Sequence, residues 1–360
     1  MPSVPAILKA CMNTFRSSKK PFTPSTAGLI ATAAAVSLAA TSVWVEVQAR
    51  RAERDNPPQG EFIDIDGVDL HYIERGDGPP VVLLHGNALT QADFDACGLM
   101  DRLARNHRVI AFDRPGFGHS TRPRDRLWTP AVQADLLRRA LARLSVEQPV
   151  VVGHSMGTMV AMAMALNCPE DVRGLVLIGG YYYPSLRIDA LLTAPVALPV
   201  LGDAMRYTVT ALSSRALLGK MAKAMFSPQD VPANFFPVLS REMMLRPVQL
   251  RANAEDAAFM VPAAISQSSR YHELAMPVTL IAGEEDQVVA LEGQSARLHD
   301  ELPHSELHVV PRTGHMAHYV AQDLIVKAVE GPLHSVSLSS YTGMTRDDLT
   351  LKTEPEFGQR

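Results

Sequence analysis

The stretch Val150-Val151-Val152-Gly153-His154-Ser155-Met156-Gly157 constrains this chain more than any other. A short β-branched run ends in Gly-x-Ser-x-Gly, and a helical pattern over residues 156–166 begins at once. A strand that turns directly into a helix needs a sharp, strained corner, and glycines at 153 and 157 leave room there for the neighbouring chain. A serine at the apex is lifted out of the sheet. The N–H of Met156 then points to the same spot as the helix N-terminus, where negative charge is favoured. A helix-capping serine is the ordinary alternative. The flanking strand and glycines favour a nucleophile, Ser155.

Around this corner the chain alternates short apolar runs with helical patterns. Residues 62–65 and 68–74 read as a hairpin turning at Asp66-Gly67. Apolar strands follow at 81–84, 108–112, 150–152, 175–178, 278–282 and 307–310, and helices at 92–104, 131–144, 156–166 and 318–329. Continuous apolar strands alternating with helices predict an α/β fold, a mostly parallel eight-stranded sheet covered on both faces. The core is expected over residues 61–184 and 275–332. Between them, residues 185–274 lack a strand pattern and are rich in Met and Phe, which predicts a helical cap inserted after the sixth core strand. Residues 333–360 read as a polar, loosely attached tail.

The 360 residues carry a formal net charge of −4. With no basic stripe in the body of the chain, nucleic acid is not an expected partner. Cys11, Cys97 and Cys168 are too few and too scattered for a disulfide framework or a zinc pattern, and Cys97 and Cys168 read as inert buried thiols.

Residues 27–45 run without a charge, close to the length that crosses a bilayer. A basic segment, 1–26, precedes them, with Lys9, Arg16, Lys19 and Lys20 and no acidic residue among these four. A signal anchor is the first reading, with the catalytic part on the periplasmic or extracellular side. A cleaved secretory signal, with Val47 and Ala49 before the cut, is the second. A buried Ala-rich helix is the third, weakened by the absence of a polar face. Residues 46–60, charged and bearing Pro57-Pro58, read as a linker.

Serine is a weak nucleophile and needs a base. His315, in Arg312-Thr313-Gly314-His315-Met316, follows the last predicted strand and so lies at the C-terminal edge of the sheet. His318 is its rival and is expected to begin the last helix. His154 is expected to point away from the corner. Asp286, in Gly283-Glu284-Glu285-Asp286 after the strand 278–282, is the expected acid, holding the tautomer of the base; Glu284 and Glu285 read as solvated. The chain order Ser, acid, His fits one of the known triad orders. Acyl transfer also needs donors for the developing oxyanion. Met156 N–H is one. The other is expected from Asn87 in His85-Gly86-Asn87, after the strand 81–84, with its side chain as an extra donor.

These motifs, together with Asp113-Arg114-Pro115-Gly116-Phe117-Gly118-His119-Ser120, resemble the α/β-hydrolase superfamily over about residues 61–330. The resemblance implies that 113–120 is a structural loop and that the insertion is the family's helical cap. His85-Gly86-Asn87 also looks like the equivalent stretch of haloalkane dehalogenases. Those enzymes and epoxide hydrolases carry Asp as nucleophile, and Ser155 argues against both. Esterases, cofactor-free haloperoxidase-like hydrolases and carbon–carbon bond hydrolases of ring degradation are the nearer likenesses. The expected activity is hydrolysis of an ester-type bond in a small, largely apolar substrate through an acyl-enzyme on Ser155, with no metal or organic cofactor. Carbon–carbon bond hydrolysis, perhydrolysis and a non-catalytic ligand-binding module stay open beside it.

Overall fold

The computed structural model describes residues 25–186 and 188–339. The chain divides into two compact units, Met1–Trp44 and Val45–Arg360. One helix, α1 (Thr26–Asp55), contributes to both, and it is long and apolar enough to cross a membrane. The expected linker is therefore shorter than the sequence suggests, because residues 46–55 are helical. Their charges sustain the helix through i,i+4 pairs, Arg50 with Glu46 and Arg51 with Asp55. The helix ends just before Pro57-Pro58.

The hairpin β1 (Glu61–Ile65) and β2 (Val68–Arg75) turns through Asp66 and Gly67, both at positive φ. Next come β3 (Pro80–Leu84), α2 (Ala92–Ala96), α3 (Leu99–Leu103), β4 (Arg108–Phe112), α4 (Pro130–Arg143), β5 (Val150–His154), α5 (Met156–Asn167) and β6 (Gly174–Ile178). The single helix expected over 92–104 is two, broken at Gly98, which adopts φ 75°. Six helices follow without a strand: α6 (Ile188–Ala197), α7 (Leu201–Arg206), α8 (Val209–Phe226), α9 (Phe235–Leu239), α10 (Arg241–Met244) and α11 (Pro247–Ser268). The core resumes with β7 (Val278–Gly283), α12 (Arg297–Glu301), β8 (Ser305–Val310) and α13 (Gln322–Ser339). That last helix passes Gly331-Pro332, so residues 333–339 are helical and not the irregular start of a tail. A proline there removes one ladder bond without ending the helix. Residues 340–360, the rest of the expected tail, lie outside the described residues, as do 1–24.

All eight strands join one sheet in the order β1-β2-β4-β3-β5-β6-β7-β8. β1/β2 and β2/β4 are antiparallel, and the other pairs are parallel. Alternate strand residues feed two cores. Val82, Leu84, Val151, Leu175 and Leu280 pack with α4 and α5 residues on one face. Val81, Leu83, Val150, Val152 and Ile281 pack with α2, α3 and α13 residues on the other. Burial on both faces is why these strands read as unbroken apolar runs.

α11 joins the insertion to the core through a buried charge cluster. Its Asp256 accepts from Arg114 at 2.5 Å and Arg122 at 2.9 Å, with all three side chains fully buried. Gln133 of α4 donates to the same carboxylate. Arg114 lies within the loop 113–120 and Arg122 just beyond it, and Gly118 of the same loop is held by Gln249 and Arg246.

Candidate active site

The corner between β5 and α5 has the geometry its sequence demands. Ser155 sits at φ 50°, ψ −117°, a strained conformation for a non-glycine residue. Its N–H donates to Ile178 O at 2.9 Å, tying the apex to the end of β6. Gly157 is required by a close approach: a Cβ there would lie 2.1 Å from Leu84 O of β3. Met156 opens α5, so its N–H has no intrahelical acceptor.

Asp286 and His315 are brought together. His315 Nδ1 lies 2.8 Å from Asp286 Oδ2, and the two side chains are 2% and 3% exposed. The other carboxylate oxygen, Oδ1, accepts from Val288 N at 2.7 Å and Val289 N at 2.9 Å. This fixes the carboxylate and, through it, the ring tautomer. The His315 ring lies over Gly179: a Cβ on that glycine would come 3.2 Å from Nδ1. Gly179 adjoins Ile178, the acceptor for Ser155 N–H, so serine and imidazole share one end of β6. No hydrogen bond joins Ser155 Oγ to His315 among the described residues. Catalytic bonds of this kind tighten when substrate is bound. Glu284 and Glu285 are exposed.

The insertion holds the base from behind. His315 N–H donates to Met225 O at 3.0 Å, and Gln229 Nε2 donates to Arg312 O and Thr313 Oγ1. Sequence reasoning missed these contacts, since neither Met225 nor Gln229 belongs to a motif.

His154 does not turn away from the site. Its ring is fully buried, 5.0 Å from that of His315 and 4.3 Å from that of His318, and its Nε2 lies 3.2 Å from His315 O. Burial, with His318 and His315 alongside, pushes its pKa well down, so the ring is neutral. His318 does not begin the last helix. It lies in the 3₁₀ turn Ala317–Tyr319, which precedes α13, and its Nε2 meets Asp93 Oδ2 at 2.8 Å. Tyr319 OH donates to Asp93 Oδ1 at 2.8 Å. Asp93, His154 and His318 bring three potential metal-ligating atoms within 4.8 Å. However, His318 Nε2 is spent on Asp93, and His154 Nδ1 packs against Gly86, where a Cβ would lie 2.9 Å away. The Nδ1 atoms of His154 and His318 are buried without a hydrogen-bond partner among the described residues.

Asn87 follows β3 beside the corner, where a Cβ on Gly86 would lie 3.1 Å from Ser155 Cβ. Its backbone N–H, like that of Met156, donates no hydrogen bond among the described residues. One N–H of its side chain is committed elsewhere: Nδ2 donates to Asn253 O of α11 at 3.1 Å. Asn253 Oδ1 in turn accepts from Ala88 N at 2.7 Å. Asn253 was not foreseen, because no sequence pattern links it to residue 87. Two buried apolar clusters adjoin the site residues: Met156, next to Ser155, packs with Met159, Tyr181 and Met260, and Met316, next to His315, belongs to a cluster with Leu89, Leu218 and Phe226. The thiols stay apart from this chemistry: burial pushes the Cys97 pKa up, and that of Cys168 is raised as well.

A doubly covered, mostly parallel sheet with a strained serine at a strand-to-helix corner and a histidine–carboxylate pair beyond later strands defines an α/β enzyme of the hydrolase type. The model of the alpha/beta hydrolase fold matches residues 79–322, and the chain belongs to that family. A 2-hydroxymuconate semialdehyde hydrolase of Pseudomonas sp. (strain CF600) is 30% identical over 276 residues, which are 73% of this chain and 90% of that protein. A 2-(acetamidomethylene)succinate hydrolase of Mesorhizobium japonicum is 28% identical, over 74% of this chain and 92% of its own length. Among solved structures, an alpha/beta hydrolase fold protein from Burkholderia ambifaria superposes with a TM-score of 0.63 at 23% identity, covering 75% of this chain and 96% of its own.

Proposed function

We propose that the chain is a membrane-anchored serine hydrolase that cleaves an ester-type acyl bond of a small, largely apolar substrate. The observation that carries this reading is the His315–Asp286 pair, buried and bonded at 2.8 Å, beside the end of β6 that holds the strained Ser155. Ser155 Oγ attacks the acyl carbon as His315 Nε2 takes its proton, and Asp286 stabilises the imidazolium that forms. The oxyanion is met by the N–H groups of Met156 and Asn87. The tetrahedral intermediate collapses, the leaving alkoxide takes the proton from His315, and an acyl-serine remains. Water then attacks that acyl group, with His315 again as base, and the acid and the free serine are released. A neutral His154 beside the base adds no charge repulsion to the imidazolium.

The apolar clusters around Met156 and Met316 support an apolar acyl group. The length and composition of α1 support the anchor, with the catalytic unit on the periplasmic or extracellular side. A second reading, hydrolysis of a carbon–carbon bond in a vinylogous diketone, is favoured by the likeness to the 2-hydroxymuconate semialdehyde hydrolase. The test compares nitrophenyl esters of rising acyl length with a vinylogous diketone on the full chain in detergent. Ester turnover that rises with acyl length and is lost in Ser155→Ala supports the acyl reading. Fast diketone turnover with negligible ester turnover overturns it in favour of the second.

A further inference from the structure

The insertion carries an apolar surface that the acyl chemistry does not use. At the junction of α6 and α7, Leu198, Val200 and Leu201 are all exposed, Val200 at 80% and with φ 66°. A β-branched residue at positive φ is a backbone outlier, so Val200 is held there at a conformational cost. On α8, Val209, Leu212 and Met221 are also exposed, at 60%, 49% and 51%, and Lys220 and Lys223 stand exposed near its C-terminal end. Val209 and Leu212 share the outer face of α8 with Lys220 and Lys223, while Met221 lies about half a turn round the helix from Leu212; a mixed apolar and cationic outer face suits a helix resting on a lipid interface.

The second observation is charge. Leu198 and Pro199 border a cleft of about 400 Å³ that is also lined by Arg124, Arg126, Arg206 and Arg251. Only Asp203 and Glu255 oppose them on the lining, and Asp203 is shared by Arg124 and Arg206. Asp125 meets Arg126 from outside the cleft. Arg251 pairs with Glu255, so each guanidinium has a carboxylate partner, and four of them against three carboxylates leave a single excess positive charge at the cleft, a modest complement to lipid phosphates.

The third is connectivity. Val45, the first residue of the catalytic unit, packs with Ala211 of α8, Leu250 of α11 and the partly buried Tyr207. Arg206 lies over the Tyr207 ring, 6.0 Å from its centroid, and Glu46 acts electrostatically on the same tyrosine. The chain therefore enters the catalytic unit from the apolar part of α1 within one or two side chains of the cleft and of α8.

We propose that the face formed by Leu198–Leu201, the outer residues of α8 and the arginine cleft docks on an anionic lipid bilayer. This rests on α1 being a membrane anchor and not on the acyl chemistry. It assigns the source of substrate: an acyl compound dissolved in the bilayer, presented at the insertion.

The test uses the full chain in vesicles of phosphatidylcholine with a minority of phosphatidylglycerol. With Cys11, Cys97 and Cys168 replaced by serine or alanine, an environment-sensitive fluorophore is placed by Leu201→Cys, Leu212→Cys or Glu306→Cys. Glu306 is exposed near the start of β8, at the end of the parallel strands opposite Ser155 and His315. Doxyl-labelled lipids are expected to quench the first two positions at least about threefold more than the third. Equal quenching at all three overturns the proposal. Val200→Asp with Leu201→Asp is expected to slow hydrolysis of a vesicle-dissolved ester about tenfold, while a water-soluble ester changes less than about twofold. Unchanged vesicle hydrolysis overturns it too. So does an unquenched parent that is dimeric in detergent and becomes monomeric in the aspartate variant, which would assign the face to a second copy. Absence of any ester turnover counts against the acyl chemistry alone, because the quenching still decides the surface.

Discussion

At the scale of single residues the chemistry rests on a backbone torsion and a buried pair. Ser155→Ala removes the nucleophile, and labelling by a fluorophosphonate probe is expected to vanish, with ester turnover down about 10³-fold or more. Asp286→Asn leaves the loop amides of Val288 and Val289 an acceptor but alters the tautomer of His315. Its kcat is expected to fall about 10⁴-fold with KM little changed, as measured on a nitrophenyl ester. Burial also makes the fold sensitive to acid. His85 is fully buried beside Arg114, and its pKa is lowered to about 4. Between pH 4 and the ordinary histidine value of 6.5, the unfolded chain binds a proton that the folded chain refuses. Stability therefore falls as pH drops through that window, by about 3 kcal/mol for His85 alone. His154, also depressed, acts in the same direction. His71 has a raised pKa and withdraws stability only as pH rises above 6.5. Urea unfolding between pH 7 and pH 4 checks this; a flat midpoint would refute it.

At the scale of elements, much of what positions the site was legible because period and punctuation agree. The strand, Gly-x-Ser-x-Gly, helix order can be read directly, and so can Asp286 and His315, because each follows an apolar run that ends at the same edge of the sheet. What could not be read is pairing across long distances. Asp93 with His318, Asn87 with Asn253 and Asp256 with Arg114 each join segments with no shared periodicity. The end of α1 was missed for a different reason. Its charges look like a linker in composition, yet their i,i+4 spacing supports a helix. The Asp256 cluster carries its own prediction. Asp256→Asn leaves the buried Arg114 without an anion and Arg122 with Glu255 alone, which is expected to destabilise the fold by about 3–5 kcal/mol in denaturant titration. Because α11 also carries Asn253, activity per folded molecule is expected to fall as well.

At the scale of the whole molecule, an apolar helix and a catalytic unit share one chain. The full protein is expected to stay with the membrane fraction through an alkaline carbonate wash. A membrane-impermeant fluorophosphonate is expected to label Ser155 from the outer face of intact spheroplasts. Labelling only after lysis would reverse the orientation. The grip at the end of α1 bears on movement. Val45 packs against α8 and α11, and Glu53 pairs with Arg246 at 2.8 Å, so the helix is fastened to the insertion. Its link to the sheet is the short stretch before β1, where Gln59 O meets the His71 ring. The mooring thus reaches the insertion first, and through it the core, because Arg246 also donates to Gly118 O and α11 is bound to the loop 113–120 by Asp256. A pull on the apolar helix is therefore borne by the same buried charges that seat the insertion on the sheet.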